Sequence, residues 1–162
     1  MSEPMRDSGC NVVAEGVELD ESVQIGYFNI IYEGVRIGRD SVIGNHCVIH
    51  PRTVAGENCR ILDHSVLGRR PASSGVTSRK LKQDYPPLVI GRGCVIGVGS
   101  VLYSGSKIGD NVLICDFASI REECEIGNRC IIARFVSVNY NSKSCYASQD
   151  ETTQRSPAVR NR

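Results

Sequence analysis

The chain has no tryptophan and only three phenylalanines among its 162 residues, so a core built on large aromatic side chains is not expected. Charge is nearly balanced, with 19 Lys and Arg against 18 Asp and Glu, which gives no general argument for binding nucleic acid or an anionic membrane. Apolar runs are only a few residues long, whereas a membrane-spanning helix needs about 20. Nothing in the polar first thirteen residues resembles a secretory signal. Composition therefore favours one soluble, cytoplasmic domain.

Several motifs that would indicate a particular chemistry are also missing. The sequence contains no phosphate-cradling P-loop, no dinucleotide-binding fingerprint and no CxxC pair. These absences argue against a nucleotide hydrolase, a dinucleotide-dependent oxidoreductase and a thiol-ligated metal site.

The strongest positive signal is an aliphatic residue at every sixth position. The series runs through Val13, Leu19, Ile25, Ile31, Ile37, Ile43, Ile49, Ala55, Ile61 and Leu67, and resumes at Ile90, Ile96, Leu102, Ile108, Ile114, Ile120, Ile126, Ile132 and Val138. A helix repeats near 3.6 residues and a half-buried strand at two, so a period of six fits neither alone. It fits a solenoid in which each hexad is a short strand plus a turn and three hexads form one coil. We predict an all-β parallel β-helix of about six coils.

The repeat also divides the chain into segments. Residues 1–12 are predicted to be a flexible leader, and residues 13–140 the β-helix, interrupted by an inserted loop at 69–87. Residues 141–162 lose the period and are predicted to be a disordered or aberrant tail, the product of truncation or a shifted reading frame.

Small residues fall into two fixed positions of the hexad. Nine glycines directly follow a repeat aliphatic, and we expect them to supply positive φ at the corners. Five cysteines lie two residues before a repeat aliphatic, at Cys47, Cys59, Cys94, Cys124 and Cys130. This position also accepts Val, Ser and Ala, so we interpret these cysteines as small buried side chains. No two of the five are eighteen apart in the sequence, so neither direct stacking nor disulfides are expected.

The repeat resembles that of the bacterial hexapeptide-repeat acyltransferases, over residues 13–140. The run IGRDSVIGNHCVIHPRTVAGENCRILDHSVLGRRP, a basic Ser-rich loop and PPLVIGRGCVIGVGSVLYSGSKIGDNVLI are similar to the sugar-modifying branch. The resemblance implies a left-handed parallel β-helix, acetyl-CoA as co-substrate and acetylation of an amine or hydroxyl on a sugar or nucleotide sugar. It further implies a role in making surface polysaccharide precursors, and a homotrimer with active sites between subunits.

Acyl transfer needs a base near neutrality, and the chain offers three histidines, His46, His50 and His64. The string LDHS at 62–65 resembles the Leu-Asp-His-Ala string around the catalytic base of serine acetyltransferase. The string VIHPR at 48–52 resembles the segment around the catalytic histidine of the lipid A acyltransferases. His64 and His50 are therefore both candidate bases. Asp63 either orients an imidazole or caps a turn.

The inserted loop is the candidate for binding the co-substrate. It carries five cations, and they are Arg69, Arg70, Arg79, Lys80 and Lys82. By the resemblance the loop lies over the groove, where these side chains would meet CoA or nucleotide phosphates; the alternative is a solvated loop. Two other functions remain open. One is a zinc enzyme like the γ-class carbonic anhydrases, using the three histidines, and the other is a non-catalytic or truncated β-helix protein.

Overall fold

The computed structural model describes residues 10–75 and 80–144, where every regular element longer than one residue is a short β-strand and no α-helix occurs. In chain order the strands are β1 (Val12–Val13), β2 (Glu18–Leu19), β3 (Gln24–Ile25), β4 (Ile30–Ile31), β5 (Arg36–Ile37), β6 (Val42–Ile43), β7 (Val48–Ile49), β8 (Val54–Ala55), β9 (Arg60–Ile61), β10 (Val66–Arg69), β11 (Val89–Ile90), β12 (Val95–Ile96), β13 (Val101–Tyr103), β14 (Lys107–Ile108), β15 (Leu113–Ile114), β16 (Ser119–Ile120), β17 (Glu125–Ile126), β18 (Ile131–Ile132), β19 (Ser137–Val138) and β20 (Lys143–Ser144).

Every third strand pairs in parallel, which produces three sheets. The first sheet has the order β1-β4-β7-β10-β13-β16-β19, the second β2-β5-β8-β11-β14-β17-β20, and the third β18-β15-β12-β9-β6-β3. The predicted solenoid is confirmed as a left-handed parallel β-helix, with about seven turns. We call the bend from the first sheet to the second the first corner, the next bend the second corner, and the bend back to the first sheet the third corner.

The repeat aliphatics form the core, as their spacing predicts. Ile43 pairs in register with Ile61 on the next coil, and each side chain is 1% exposed. Alternate residues of these two-residue strands point to opposite faces, so Val42 and Arg60 face outward. The stack loosens at its first end, where Val13 is 46% exposed.

The predicted reason for the corner glycines is wrong for eight of the nine, since only Gly68 among them has positive φ. Glycines such as Gly38 do not have positive φ; in most corners the left-handed residue comes two positions later and is often not glycine, as at Asp40 and His46. A Cβ on Gly38 would instead lie 2.7 Å from the backbone carbon of Gly56 on the next coil. Close coil-to-coil approach, rather than backbone conformation, therefore requires glycine at this position.

The repeat cysteines are buried, as predicted, but the prediction that no two of them stack directly is wrong. Cys47, Cys59, Cys94 and Cys124 are fully buried free thiols. Because the insertion adds length without adding a coil, β9 pairs with β12, so Cys59 stacks directly on Cys94 although the two are far more than eighteen residues apart. A hydrogen bond to Cys59, together with burial, raises the pKa of the Cys94 thiol.

Chain segments outside the regular repeat remain partly untested. The stack is left at Arg69 and re-entered at Leu88, which is fully buried, and parallel pairing continues to β20, beyond the predicted limit at residue 140. Predictions for the leader up to residue 9, for Arg79 and for the tail from residue 145 lie outside the described residues. Within residues 10–75 and 80–144, no helix has the length and apolarity to cross a membrane.

Candidate active site

The inserted loop leaves the first corner through an irregular strand. β10 is four residues long and its pairing with β13 shifts between Leu67 and Arg69, so that Arg69 rather than Gly68 stands opposite Tyr103. Gly68 has φ +73°, and a Cβ there would collide with the Thr53 hydroxyl. The glycine therefore permits the bulge from which the loop departs, and it presents no side chain to its neighbours.

His50 lies directly below this bulge, in an open cavity of about 1030 Å³ at the base of the loop. It follows β7 at the first corner, one coil before Gly68. One face of its imidazole stacks on Tyr32, with ring centroids 5.5 Å apart and planes inclined by 7°. Toward the next coil His50 meets Gly68, which adds no side chain there, and the cavity lies beside the ring. A volume of this size suits a cofactor or drug-sized ligand, for which pockets are about 300–1,000 Å³.

The surroundings of His50 favour its neutral form. Partial burial lowers the pKa of the imidazole below its ordinary value, and the positive charge of Arg69 lowers it further. A neutral imidazole can accept a proton, so this environment keeps His50 available as a base at neutral pH.

The loop is held along the first corner by contacts on both sides of its origin. Asp84 accepts hydrogen bonds from Arg70 at 2.8 Å and from Arg52, one coil earlier, at 3.2 Å. Lys82 forms an ion pair with Glu123, two coils beyond the bulge. The Tyr85 side chain is 3% exposed, and its hydroxyl accepts a hydrogen bond from the Lys82 amide. The return segment of the loop, residues 82–85, is therefore held against the β-helix beside the cavity.

The cations predicted to bind the co-substrate separate into different environments. Arg70 and Lys82 are engaged in the ion pairs with Asp84 and Glu123. Arg69 has no carboxylate partner among residues 10–75 and 80–144; its guanidinium carbon lies 5.7 Å from the centroid of the Tyr103 ring. Lys80 is exposed. Arg69 is consequently the cavity-lining cation that is available to an anionic ligand.

His46 and His64 lie at the third corner, on a different edge from His50. Their rings stack with centroids 4.9 Å apart, and His46 stacks on Phe28 at 5.1 Å on its other side. All three residues have φ between 56° and 60°. On the coil after His64, Gly99 has no side chain, and the ring of Phe117 covers its position. These histidines belong to a column of stacked rings and do not line the cavity at the first corner.

Asp63 is occupied by the backbone of the preceding coil. Its Oδ1 accepts hydrogen bonds from the Asn45 amide at 2.7 Å and from the Asn45 side-chain nitrogen at 3.2 Å. No described hydrogen bond joins it to an imidazole, so the structure does not bring Asp63 and His64 together as an oriented pair.

Two contributors to the cavity were not identified from the sequence. Tyr32 precedes His50 by eighteen residues, so the repeat itself contained the signal that the two rings would stack. Ser104 lines the same cavity two coils after His50. It lies in a corner position occupied by unlike residues in other coils, and no spacing argument could have selected it.

A three-histidine metal site does not assemble within the single chain. His50 lies at one corner while His46 and His64 lie at another. Within the described ranges, no group of three or more His, Cys, Asp or Glu side chains is arranged to hold a metal ion. The geometry therefore gives no support to the zinc-enzyme alternative.

The geometry defines a hexapeptide-repeat β-helix with a cavity at the base of its inserted loop, and the repeat is recognised independently. The family described as bacterial transferase hexapeptide (six repeats) matches residues 16–51 and 105–139. The resemblance to the hexapeptide-repeat transferases is thereby confirmed. A comparison with curated protein sequences finds no match.

Several solved structures share the fold. UDP-N-acetylglucosamine acyltransferase from Francisella novicida is 19% identical, with a TM-score of 0.53 over 83% of this chain and 61% of its own. The Campylobacter jejuni enzyme is 16% identical, with a TM-score of 0.50 over 83% of this chain and 67% of its own. A variant of perosamine N-acetyltransferase from Caulobacter crescentus, solved with CoA and GDP-perosamine, is 19% identical with a TM-score of 0.49 over 79% of this chain and 50% of its own. The chain spans about half to two thirds of these proteins.

Proposed function

We propose that the protein is an acetyl-CoA-dependent acyltransferase that acetylates an amino or hydroxyl group of a sugar or nucleotide sugar. The observation that carries the proposal is the cavity at the first corner, where a histidine with a lowered pKa and an unpaired arginine meet beneath the inserted loop. The transferase repeat on either side of this corner supports it. Of the two candidate bases, His50 is the one that lines a cavity, and we assign it the role.

In the proposed reaction, a nitrogen of the His50 imidazole takes a proton from the acceptor amine or hydroxyl. The freed electron pair attacks the thioester carbonyl carbon and forms a tetrahedral intermediate. Collapse of that intermediate breaks the carbon–sulfur bond, and the departing CoA thiolate takes the proton from the imidazolium. The acetyl group ends on the acceptor, CoA leaves as a thiol, and no cysteine is acylated on the way.

The inserted loop is proposed to bind the phosphates of acetyl-CoA. Arg69 is the first contact because it faces the cavity without a carboxylate partner. Arg70 and Lys82 would contribute by exchanging their present ion pairs for phosphate, and these pairs are exposed enough to exchange at low cost. Lys80, and Arg79 by its place in the sequence, would extend the same basic segment.

We also propose a homotrimer that acts in the cytoplasm on precursors of a surface polysaccharide. Outward-facing aliphatic side chains support self-association, since Ile30, Val89, Leu113 and Ile131 are each at least 37% exposed on the flat faces of the β-helix. Light scattering on the purified chain tests the assembly directly, and a monomer at all concentrations would contradict it.

The experiment that tests the function is an acetylation assay with a panel of nucleotide amino sugars and simple sugars. The chain is incubated with acetyl-CoA and each acceptor, and mass spectrometry follows the gain of an acetyl group. Acetylated product that depends on both protein and acceptor is the expected result. Absence of product with every acceptor, together with no binding of acetyl-CoA at millimolar concentration by calorimetry, would favour a non-catalytic β-helix.

A further inference from the structure

Ser104 stands out because its hydroxyl is buried without a partner. The residue is 6% exposed, and among residues 10–75 and 80–144 its Oγ is the buried side-chain oxygen or nitrogen that makes no hydrogen bond. Other buried hydroxyls in the stack are satisfied: Ser106 Oγ donates to the Arg121 carbonyl at 2.7 Å and accepts from the Cys124 amide at 3.0 Å. Leaving a buried hydroxyl unpaired is unfavourable, so such a group calls for a specific explanation.

The position of Ser104 supplies that explanation, because it lines the same cavity as His50. The backbone around it is fixed: its amide donates to the Arg69 carbonyl at 2.9 Å, and its carbonyl accepts from the Glu123 amide at 3.4 Å. The residue is therefore held at the cavity wall by the loop's origin on one side and the next coil on the other, and its buried hydroxyl has no partner among the described residues.

The register sets how far this hydroxyl lies from the proposed base. Leu67 pairs with Ile49 on one side and with Leu102 on the other, so the coils of His50 and Ser104 are two strands apart. At the inter-strand spacing this is about 9–10 Å. A ligand with one reacting heteroatom beside His50 would need a second polar group to reach Ser104, which suits a ring carrying several hydroxyl or amino groups.

Resting on the proposed function, we propose that Ser104 is a positioning residue for the acceptor. Its Oγ hydrogen-bonds a hydroxyl or amino group of the sugar that does not react, and so orients the reacting group toward His50. The phosphates of the co-substrate are bound elsewhere, because anions favour the guanidinium of Arg69 over a neutral hydroxyl.

The test compares Ser104→Ala with Ser106→Ala in the full chain, using acetyl-CoA and an acceptor from the panel. For Ser104→Ala we expect KM for the acceptor to rise about five- to tenfold, the loss of one hydrogen bond. We expect kcat and KM for acetyl-CoA to stay within about twofold, because the interaction is made with the unreactive part of the acceptor in ground and transition states alike. Tm should stay the same or rise, since an unpaired buried hydroxyl is removed.

Ser106→Ala is the matched control because it removes a satisfied buried hydroxyl two residues away. It should lower Tm while leaving KM for the acceptor unchanged. An unchanged acceptor KM in Ser104→Ala would overturn this inference but not the proposed function. The same holds if only the KM for acetyl-CoA rises, or if the acceptor KM rises together with a fall in Tm as large as that of Ser106→Ala. Wild-type protein without turnover on any acceptor would instead overturn the proposed function, and the inference with it.

Discussion

The first and third corners of the β-helix follow the same hexad repeat but differ in structure. At the third corner the described stack has no insertion, and rings stack on rings on either side of Gly99, as in the Phe117–Phe135 pair 5.5 Å apart. At the first corner the column of Tyr32 and His50 stops at Gly68, where the chain bulges and departs into the inserted loop. The cavity lined by His50 forms where the ring column is broken and the insertion lies over it. The stacked rings of the third corner, from which no insertion departs, are packing.

Removing one histidine from each corner should give the largest difference in activity between the two corners. His50→Ala should lower kcat/KM about 10²- to 10⁴-fold, the usual contribution of a general base. His64→Ala should leave kcat/KM within about threefold, because its ring does not contribute to transition-state stabilisation at the cavity. Steady-state assays on variants with matched circular dichroism spectra provide the measurement. A larger loss in His64→Ala than in His50→Ala would place the base at the third corner.

A second contrast concerns stability and uses one aromatic residue from each corner. Tyr85 anchors the loop and is 3% exposed, whereas Phe135 at the third corner is 75% exposed. Tyr85→Ala should lower the free energy of unfolding by about 3–5 kcal/mol, as for other buried aromatic side chains. Phe135→Ala should cost less than about 1.5 kcal/mol, the scale of one exposed ring pair. Urea denaturation measures both, and equal losses would show that the loop is not packed onto the first corner.

The smallest predicted effect sharpens the electrostatics of the first corner. Because the folded-state pKa of His50 is lowered by burial and by Arg69, the neutral base persists to lower pH than for a free imidazole. The acid limb of kcat/KM should therefore fall below the ordinary histidine value of about 6.5. Arg69→Gln should move this limb toward higher pH, but only part of the way to the free-imidazole value, because burial still lowers the pKa of His50. Arg70→Gln, whose charge is already paired with Asp84, should not move it.

The same lowered pKa has a consequence for folding, and its sign follows from proton linkage. Between the folded and unfolded pKa values the unfolded chain binds more protons at His50, so stability rises with pH in that window. This contribution is present in full above the unfolded value and is lost as pH falls through the folded one. His50→Gln should reduce the loss of stability between pH 7 and pH 5, measured as Tm. An unchanged loss would show that the imidazole is not desolvated.

The sequence predicted most of the fold because one physical requirement sets each core position. A six-residue period with three hexads per coil places Ile43 and Ile61 on the same sheet of successive coils. The two side chains were therefore expected to stack. Most of the corner glycines were predicted for the wrong reason. The sequence indicates that a Cβ is excluded at these positions, but it does not show whether the backbone conformation or a neighbouring coil excludes it. The Cys59–Cys94 stack was missed because the insertion hides which coils are adjacent.

The site was less predictable because its defining features are local departures from the repeat. His50 and His64 both follow a β-strand at a corner, so the period alone could not choose between them. The choice came from what surrounds each ring, a bulge at Gly68 for one and a stacked column for the other. Ser104 was invisible to pattern analysis, since an unpaired hydroxyl is a property of packing and not of residue type.

The central claim is that ligand binds at the first corner, and the NMR signals of the three histidines test it directly. With ¹³C-labelled histidine and signals assigned through His→Gln variants, a two-dimensional spectrum is recorded while acetyl-CoA, and then an acceptor sugar, is added. We expect the His50 resonances to move while those of His46 and His64 stay in place. Movement of His64 with a stationary His50 would contradict it.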